Sequence, residues 1–299
     1  MQTYEHFHPG EVAVQAEWGT DTDAYEAQSR QMMRPEINPH ERVFISGLTF
    51  SAAASVDADG RPWASTLFAA DTPLFTVDSA TSLTISPALG VGEPLVDSVR
   101  ASGALGVLFF DPLTRRRAKS IGHATTDGHT FRYDMTRLFG LCPKYIYARS
   151  HEPAPKAPNG VAVTSDRLGD DDQTLLAQAD TAFLASFSPH GADVTHRGGP
   201  PGFIEIVDAN TLEIPDYFGN GMFNTLGNLR LDDRLALTAT DFTTGRTVHM
   251  TGHAVARATG KASPEPERSI TVTVEEIRVS WNSVGRWTDH GPSRYTPTR

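Results

Sequence analysis

Ile121-Gly122-His123-Ala124 returns 130 residues later as Thr251-Gly252-His253-Ala254. Arg100 matches Arg230, Leu105 matches Leu235 and Asp111 matches Asp241 at the same offset. The chain therefore carries one pattern twice. Each copy opens on an apolar segment, 44–56 or 182–187, and a tight turn, Asp59-Gly60 in one and His190-Gly191 in the other. Asp-Gly between β-rich runs is a strong hairpin signal. Short strands follow, over 82–86 and 211–214, then a helix-like stretch, clearest over 93–101 with Pro94 near its first turn. A hairpin closes each copy; in the second it runs over 235–242, a Thr243-Thr244-Gly245 turn and 247–257. Many short strands at close spacing, with one or two helices per unit, predict a mainly β (α+β) fold of two tandem small β-barrels rather than a βαβ sheet.

The connections divide the 299 residues into an N-terminal unit over 1–150, with a helical arm, and a C-terminal unit over 151–299. Helices are expected over 21–33, stopped before Pro35, and over 170–179, after Asp-rich capping. The segment 151–160 has three prolines in ten residues and is expected to begin the linker. A loose stretch over 259–267 precedes an alternating strand over 270–281.

Composition excludes several classes. A formal net charge of -10 argues against a nucleic-acid partner, since the one basic run is Arg115 to Arg117, expected as the solvated tip of a hairpin. The single Cys142 excludes an internal disulfide and a thiolate-rich metal site built by this chain alone. A reducing cytoplasm fits best. No apolar run reaches the ~20 residues of a membrane span, and the acidic, His-bearing start is unlike a signal peptide.

Chemistry concentrates between Asp193 and Asn228. There D-V-T-H-R-G-G-P-P-G-F is followed, after a short strand, by P-D-Y-F-G-N-G-M-F-N-T-L-G-N. Arg197 beside Thr195 offers a charged fork and a hydroxyl, which suit a phosphate, and Gly198, Gly199 and Gly202 let backbone approach a ligand. Asn220, Asn224, Thr225 and Asn228 are the amides and hydroxyls that hydrogen-bond a heteroaromatic rim. One cationic and one neutral cluster fit a ligand with a charged tail and a polar ring. In an extended segment His196 points to the opposite face from Arg197.

The whole chain resembles the two-domain branch of the pyridoxamine 5'-phosphate oxidase-like proteins, which have the FMN-binding split-barrel fold. The residues that carry the likeness are F-H-P-G-E-V-A-V-Q at 7–15, D-A-D-G-R-P-W-A-S at 57–65, T-R-R-R at 114–117, L-C-P-K-Y-I at 141–146 and the stretch from Asp193. The resemblance implies two tandem split barrels, FMN held non-covalently against a barrel wall, and flavin redox chemistry. It places Thr195 and Arg197 on the phosphate, with His196 beside it, and Asn220, Phe223, Asn224 and Thr225 along the ring or ribityl chain. Lys144 and Arg230 are candidates to stabilise the reduced ring. The sequence departs from relatives at Gly221-Met222-Phe223, at Leu141 before Cys-Pro, and in the strand after Arg115. The first copy lacks an arginine at the Arg197 position, so one cofactor site is expected, mostly in the second domain, with the first as partner wall. Trp63, Phe68 and 142–147 are then expected to face the ring across the domain interface, with Trp281, Trp287 and Tyr295 coming from the tail.

The expected function is an FMN-dependent oxidoreductase acting on a small-molecule substrate, with deazaflavin as a variant cofactor, a separate reductase as a possible partner, and a homodimer. No sequence feature assigns a catalytic residue. Two other classes stay open: a flavin-binding or electron-transfer protein without its own substrate, and a haem-binding or haem-degrading protein. Haem would draw on the histidines, since His249 and His253 share a face of one regular strand. No carboxylate-backed triad or H-E-x-x-H helix accompanies them, so no resident metal is expected.

Overall fold

The computed structural model of the chain describes residues 5–154, 160–219, 221–260, 268–282 and 284–297. Three helices come first: α1 (Pro9–Glu17), α2 (Thr22–Met32) and α3 (Pro39–Ser46). His8 caps α1 and Asn38 caps α3, each in a capping box closed by Glu11 or Glu41, with proline in the first turn. Asp21 caps α2, as the helix expected over 21–33 requires. The apolar segment 44–56 divides into the end of α3 and strand β1 (Phe50–Val56).

The first copy continues through β2 (Pro62–Phe68), β3 (Phe75–Val77), β4 (Ser82–Ile85), α4 (Leu95–Ser102), β5 (Ala104–Asp111), β6 (Arg116–Thr126) and β7 (Phe131–Gly140). Its strands form an antiparallel sheet in the order β2-β1-β5-β6-β7-β4-β3. After β8 (Ala148–Glu152), β9 (Val163–Ser165) and α5 (Asp170–Gln178), the second copy runs β10 (Thr181–Ser188), β11 (Gly191–Gly198), β12 (Glu205–Asp208), β13 (Thr211–Asp216), α6 (Asn224–Leu229), β14 (Arg234–Thr240), β15 (Arg246–Ala258) and β16 (Arg268–Trp281). These strands pair in the order β11-β10-β14-β15-β16-β13-β12, with β9 added to β16. The two orders are the same, strand for strand, and these are the two tandem split barrels.

The repeat holds at the level of single residues. Thr66 pairs Ala52, which pairs Leu108, which pairs Lys119. In the second sheet His196 pairs Phe183, which pairs Thr238, which pairs His249. Both sheets carry a β-bulge at the repeated motif, between Ile121 and Gly122 and between Thr251 and Gly252. Asp111 and Asp241 cap the same hairpin turn, each accepting the backbone N–H of the residues two and three further on.

Alternation along the strands builds three cores. Ala53, Leu105 and Val107 face the interior of the first barrel. Ala182, Leu184, Leu235 and Leu237 face that of the second. The opposite faces of the same strands, with Ala52, Ala54, Leu108 and Phe110 from one and Phe183, Ala185, Val194 and Ala236 from the other, form a core between the barrels. Strands buried on both faces read as continuous apolar runs, which is why β1, β2 and β10 show no polar side.

The linker differs from expectation in its first residues. His151 and Glu152 belong to β8, which pairs with β17 (Arg286–Gly291) and so ties the exit of the first copy to the tail. A boundary at 150 falls inside that strand. Residues 155–159, and 261–267 of the loose stretch before β16, lie outside the described residues.

Candidate cofactor site

β11 leaves the β10 hairpin with its side chains alternating, so Asp193, Thr195 and Arg197 share one face while His196 takes the other. His196 is buried between the barrels, stacked on Phe110 at a centroid distance of 5.0 Å. Where β11 ends, it meets the segment after β7 of the first copy and the start of α6. A cleft of about 120 Å³ opens at this junction. It is lined by Arg117, Lys119, Cys142, Lys144 and Tyr145 of the first copy and by Thr195 to Gly198, Asp216, Tyr217, Phe223 to Leu226 and Arg268 of the second. Thr195, His196, Arg197, Phe223, Asn224, Thr225 and Lys144, all expected from sequence, are thus brought together; Asn220 lies outside the described residues.

The charge of the cleft is lopsided. Five cations, Arg117, Lys119, Lys144, Arg197 and Arg268, meet Asp216 in the lining and Asp193 behind it. Asp216 is shared: Arg197 pairs with its Oδ1, and Arg268 Nε donates to its Oδ2 at 2.7 Å. Lys119 Nζ pairs with Asp193 at 2.6 Å, both fully buried. Arg117 has no carboxylate partner among the described residues. Its Nε donates to the carbonyl of Cys142 at 2.5 Å and its Nη1 to His196 Nδ1 at 3.2 Å. Burial, with Arg197 as a neighbouring like charge, pushes the Arg117 guanidinium down to about 10.

Because arginine only donates, His196 Nδ1 must be the acceptor and the ring proton sits on Nε2. Burial first, and then Arg117 and Arg197, hold His196 well below its ordinary range, so it is neutral. Two buried donors here lack an acceptor among the described residues: His196 Nε2 and Arg197 Nε. Buried donors of this kind are rare in folded proteins and mark a place where a ligand oxygen fits.

An aromatic rim borders this charged floor. Tyr145 and Tyr217 pack at 5.1 Å, and Lys144 Nζ lies 4.9 Å over the Phe218 ring and 5.6 Å over that of Tyr295. Tyr145 and Phe223 both hold positive φ, 65° and 57°, a conformation that bulky side chains rarely adopt and that clusters at ligand sites. Gly198 lines the cleft, and it and Gly199 also serve the chain's own packing. A Cβ on Gly198 would lie 2.1 Å from the Tyr145 carbonyl, and one on Gly199 would lie 2.5 Å from Phe203. They let β11 close on its own neighbours.

Several expected contributors lie elsewhere. Trp63 is fully buried, donating its Nε1–H to Asp57 at 2.9 Å under Arg278. Phe68 and Trp287 pack around Phe50 at the inter-barrel core. Trp281 borders a separate groove with Trp287 and Phe242. Arg230 pairs with Glu17 beside a groove under Trp18. His249 and His253 do not share a face, because the bulge at Thr251/Gly252 shifts the alternation: His249 is 0 % exposed in its side chain and His253 46 %. His249 bonds at both ring nitrogens, to the Ala64 carbonyl and to Ser280, each at 2.8 Å.

Lys119, Asp216 and Arg268 were missed in the sequence, as were Arg117 and Glu11. Of the arginine run, Arg115 donates to the Ile146 and Pro292 carbonyls and Arg116 lies 4.1 Å over Phe44, while Arg117 enters the cleft. Glu11, in the capping box of α1, accepts from Asn224 Nδ2 behind the cleft. The H-x-x-E spacing was its only signal.

No protein-family model and no curated protein matches the chain. Solved structures do. A pyridoxamine 5'-phosphate oxidase candidate from Lactobacillus delbrueckii is 16% identical over 38% of this chain and 94% of its own, with a TM-score of 0.32. HupZ of Group A Streptococcus is 13% identical over 40% and 96%, with a TM-score of 0.29. A FAD-binding protein from Mesorhizobium loti is 11% identical over 40% and 99%, with a TM-score of 0.29. Another similar structure is a pyridoxinephosphate oxidase family protein from Clostridium acetobutylicum, 7% identical over 40% of this chain and 92% of its own, with a TM-score of 0.30.

Proposed function

We propose that the cleft binds a phosphorylated flavin, FMN in the first instance, and that the chain is an oxidoreductase acting on a small molecule with electrons supplied by a separate reductase. The observation that carries this is the pair of buried donors without acceptors, His196 Nε2 and Arg197 Nε, beside Arg117, a cation with no carboxylate partner among the described residues. In a chain of net charge -10, such a cluster needs an anion to offset it. Arg117, Thr195 and Arg197 would hold a phosphate, His196 would add a neutral donor, and Asn224, Thr225 and Phe223 would meet the ring. The cleft is smaller than the roughly 300–1,000 Å³ of a closed small-molecule pocket, so it suits the charged end of a ligand whose remainder lies at the aromatic rim. When bound, a flavin supplies hydride and single-electron transfer. The protein's own part is to neutralise the phosphate, exclude water from the buried donors and keep cations close to the ring, where negative charge develops on reduction.

The test is the absorption spectrum of protein purified without added cofactor, with the released chromophore identified by mass, for the wild type and Arg197→Ala. Bound FMN that is lost in the variant supports the proposal. A colourless wild type that takes up no FMN, or a Soret band, overturns it.

A further inference from the structure

Behind the cleft lies a second polar cluster that the phosphate site does not use. Its centre is Glu11, 3% exposed on α1, which is pressed so close to α6 that a Cβ on Gly10 would lie 2.1 Å from the Gly227 carbonyl. Glu11 Oε2 accepts the His8 backbone N–H at 3.0 Å, and Oε1 accepts Nδ2 of Asn224. His8 Nδ1 takes the N–H groups of Gly10 and Glu11, so its proton sits on Nε2 and is donated to Asn228 Oδ1 at 2.8 Å. Asn228 in turn donates to Ser186 at 2.8 Å. Every amide orientation on α6 therefore traces back to α1.

Asn224 lies between two spaces. On one side it lines the cleft; on the other, with Glu11, it borders a cavity of about 20 Å³. A carboxylate only accepts, so the ionised Glu11 fixes the Asn224 amide with its Nδ2 inward. The Oδ1 has no protein partner among the described residues, and the cleft is the larger of the two spaces that Asn224 lines. We propose that Glu11 is a positioning residue that sets, through Asn224, whether the cleft offers its ligand an acceptor or a donor: an acceptor while Glu11 is charged, a donor once Glu11 is protonated and the amide can turn. The ligand edge favoured at high pH is then an N–H donor, as on a ring imide. The assignment of ligand class rests on the flavin proposal; the amide switch does not.

The surroundings make Glu11 titratable in a useful range. Burial raises its carboxyl to about 7, against the hydrogen bonds from Asn224 and His8. The charged and titratable groups facing it are His8, the N-cap of its own helix, Asp193 of β11, Lys119 of β6 and Arg137 of β7. His190 of the β10–β11 turn borders the same small cavity and is held down to about 4 by burial, so it stays neutral across that range. His6, paired with Glu26 at 2.8 Å, closes the outer side.

The test uses two readouts. The first is the side-chain amide resonance of Asn224 in the wild-type protein without ligand, followed from about pH 5.5 to 8.5. The expected result is a titration with a midpoint near 7, absent in Glu11→Gln; an Asn224 amide that does not respond overturns the switch. The second is the dissociation constant for FMN over the same range. Its ratio between Glu11→Gln and wild type cancels the titration of the phosphate itself. Wild-type affinity should fall about three- to tenfold more than that of the variant as pH drops, the worth of one hydrogen bond exchanged for a mismatch. A flat ratio overturns the assignment of ligand edge. Titration of Asn224 without any FMN binding leaves the switch standing and sinks the flavin proposal. If Glu11→Gln does not fold, the wild-type amide titration still decides.

Discussion

Replacing Arg117 by methionine separates a ligand-binding cation from a structural one. In the protein without ligand, two effects oppose. The guanidinium sits low, at about 10, because it is buried and faces Arg197. A depression of that size amounts to roughly 3 kcal/mol of unfavourable charge. Removing it relieves that. The substitution also deletes the two hydrogen bonds that the charged guanidinium donates, to the Cys142 carbonyl and to His196 Nδ1, at about 1.5–3 kcal/mol each. The two effects largely offset, so stability should fall by no more than about 3 kcal/mol. Binding behaves otherwise. A charge-assisted bond to phosphate contributes about 1.5–3 kcal/mol, so the dissociation constant for FMN should rise about 10- to 150-fold. Urea unfolding and quenching of flavin fluorescence measure the two. A variant that loses several kcal/mol of stability yet binds FMN as before would refute the reasoning, since Arg117 would then be a packing residue.

Two further outcomes follow from other parts of the structure. The His249–Glu93 contact, 3.2 Å and fully buried, raises the histidine against the effect of burial; a raised histidine contributes stability that is complete below its unfolded value near 6.5 and lost as pH rises through the folded value. Glu93→Gln should therefore cost up to about 3–5 kcal/mol in acid, and measurably less above about pH 8, by thermal or urea unfolding at the two pH values. Gly198→Ala sets a methyl against the Tyr145 carbonyl; it should destabilise by about 1–3 kcal/mol and splay the cleft, seen as loss of both melting temperature and FMN affinity.

The fold was legible because the repeat preserves what fixes a sheet. The bulge at Gly122 and Gly252 and the aspartate-capped turns at Asp111 and Asp241 recur at one offset, and the strands pair in the same order in both copies. The face of β11 was legible too, since alternation alone separates Arg197 from His196. What crosses between barrels was not. Arg117 is distant from His196 in sequence and meets it only because two apolar sheet faces stack, and nothing in R-R-R says which arginine turns inward. Asp216 pairs with Arg197 across the β11–β13 gap and with Arg268 on β16, a triangle that depends on three loop lengths at once. The second task of Gly198, which lines the cleft and also lies against the Tyr145 carbonyl, was hidden for the same reason. A backbone approach leaves the same residue in the sequence whether a ligand or the chain's own carbonyl comes near.

The two copies ought to offer two sites, yet charge closes one of them. At the repeat offset His249 stands for Lys119 and Thr247 for Arg117, so the position in the first barrel loses two permanent cations. Glu93, just ahead of α4, stands for Phe223, just ahead of α6, and its carboxylate lies against His249 while accepting from the Ser65 hydroxyl. Ser65 is the counterpart of Thr195. The chain thus supplies its own anion where the other copy has a surplus of cations, and a phosphate approaching Glu93 would meet like charge in a buried setting. A single equivalent of FMN per chain is the expected stoichiometry by equilibrium dialysis. Two equivalents, or binding abolished by Glu93→Gln but untouched by Arg197→Ala, would show that shape and not charge selects the site.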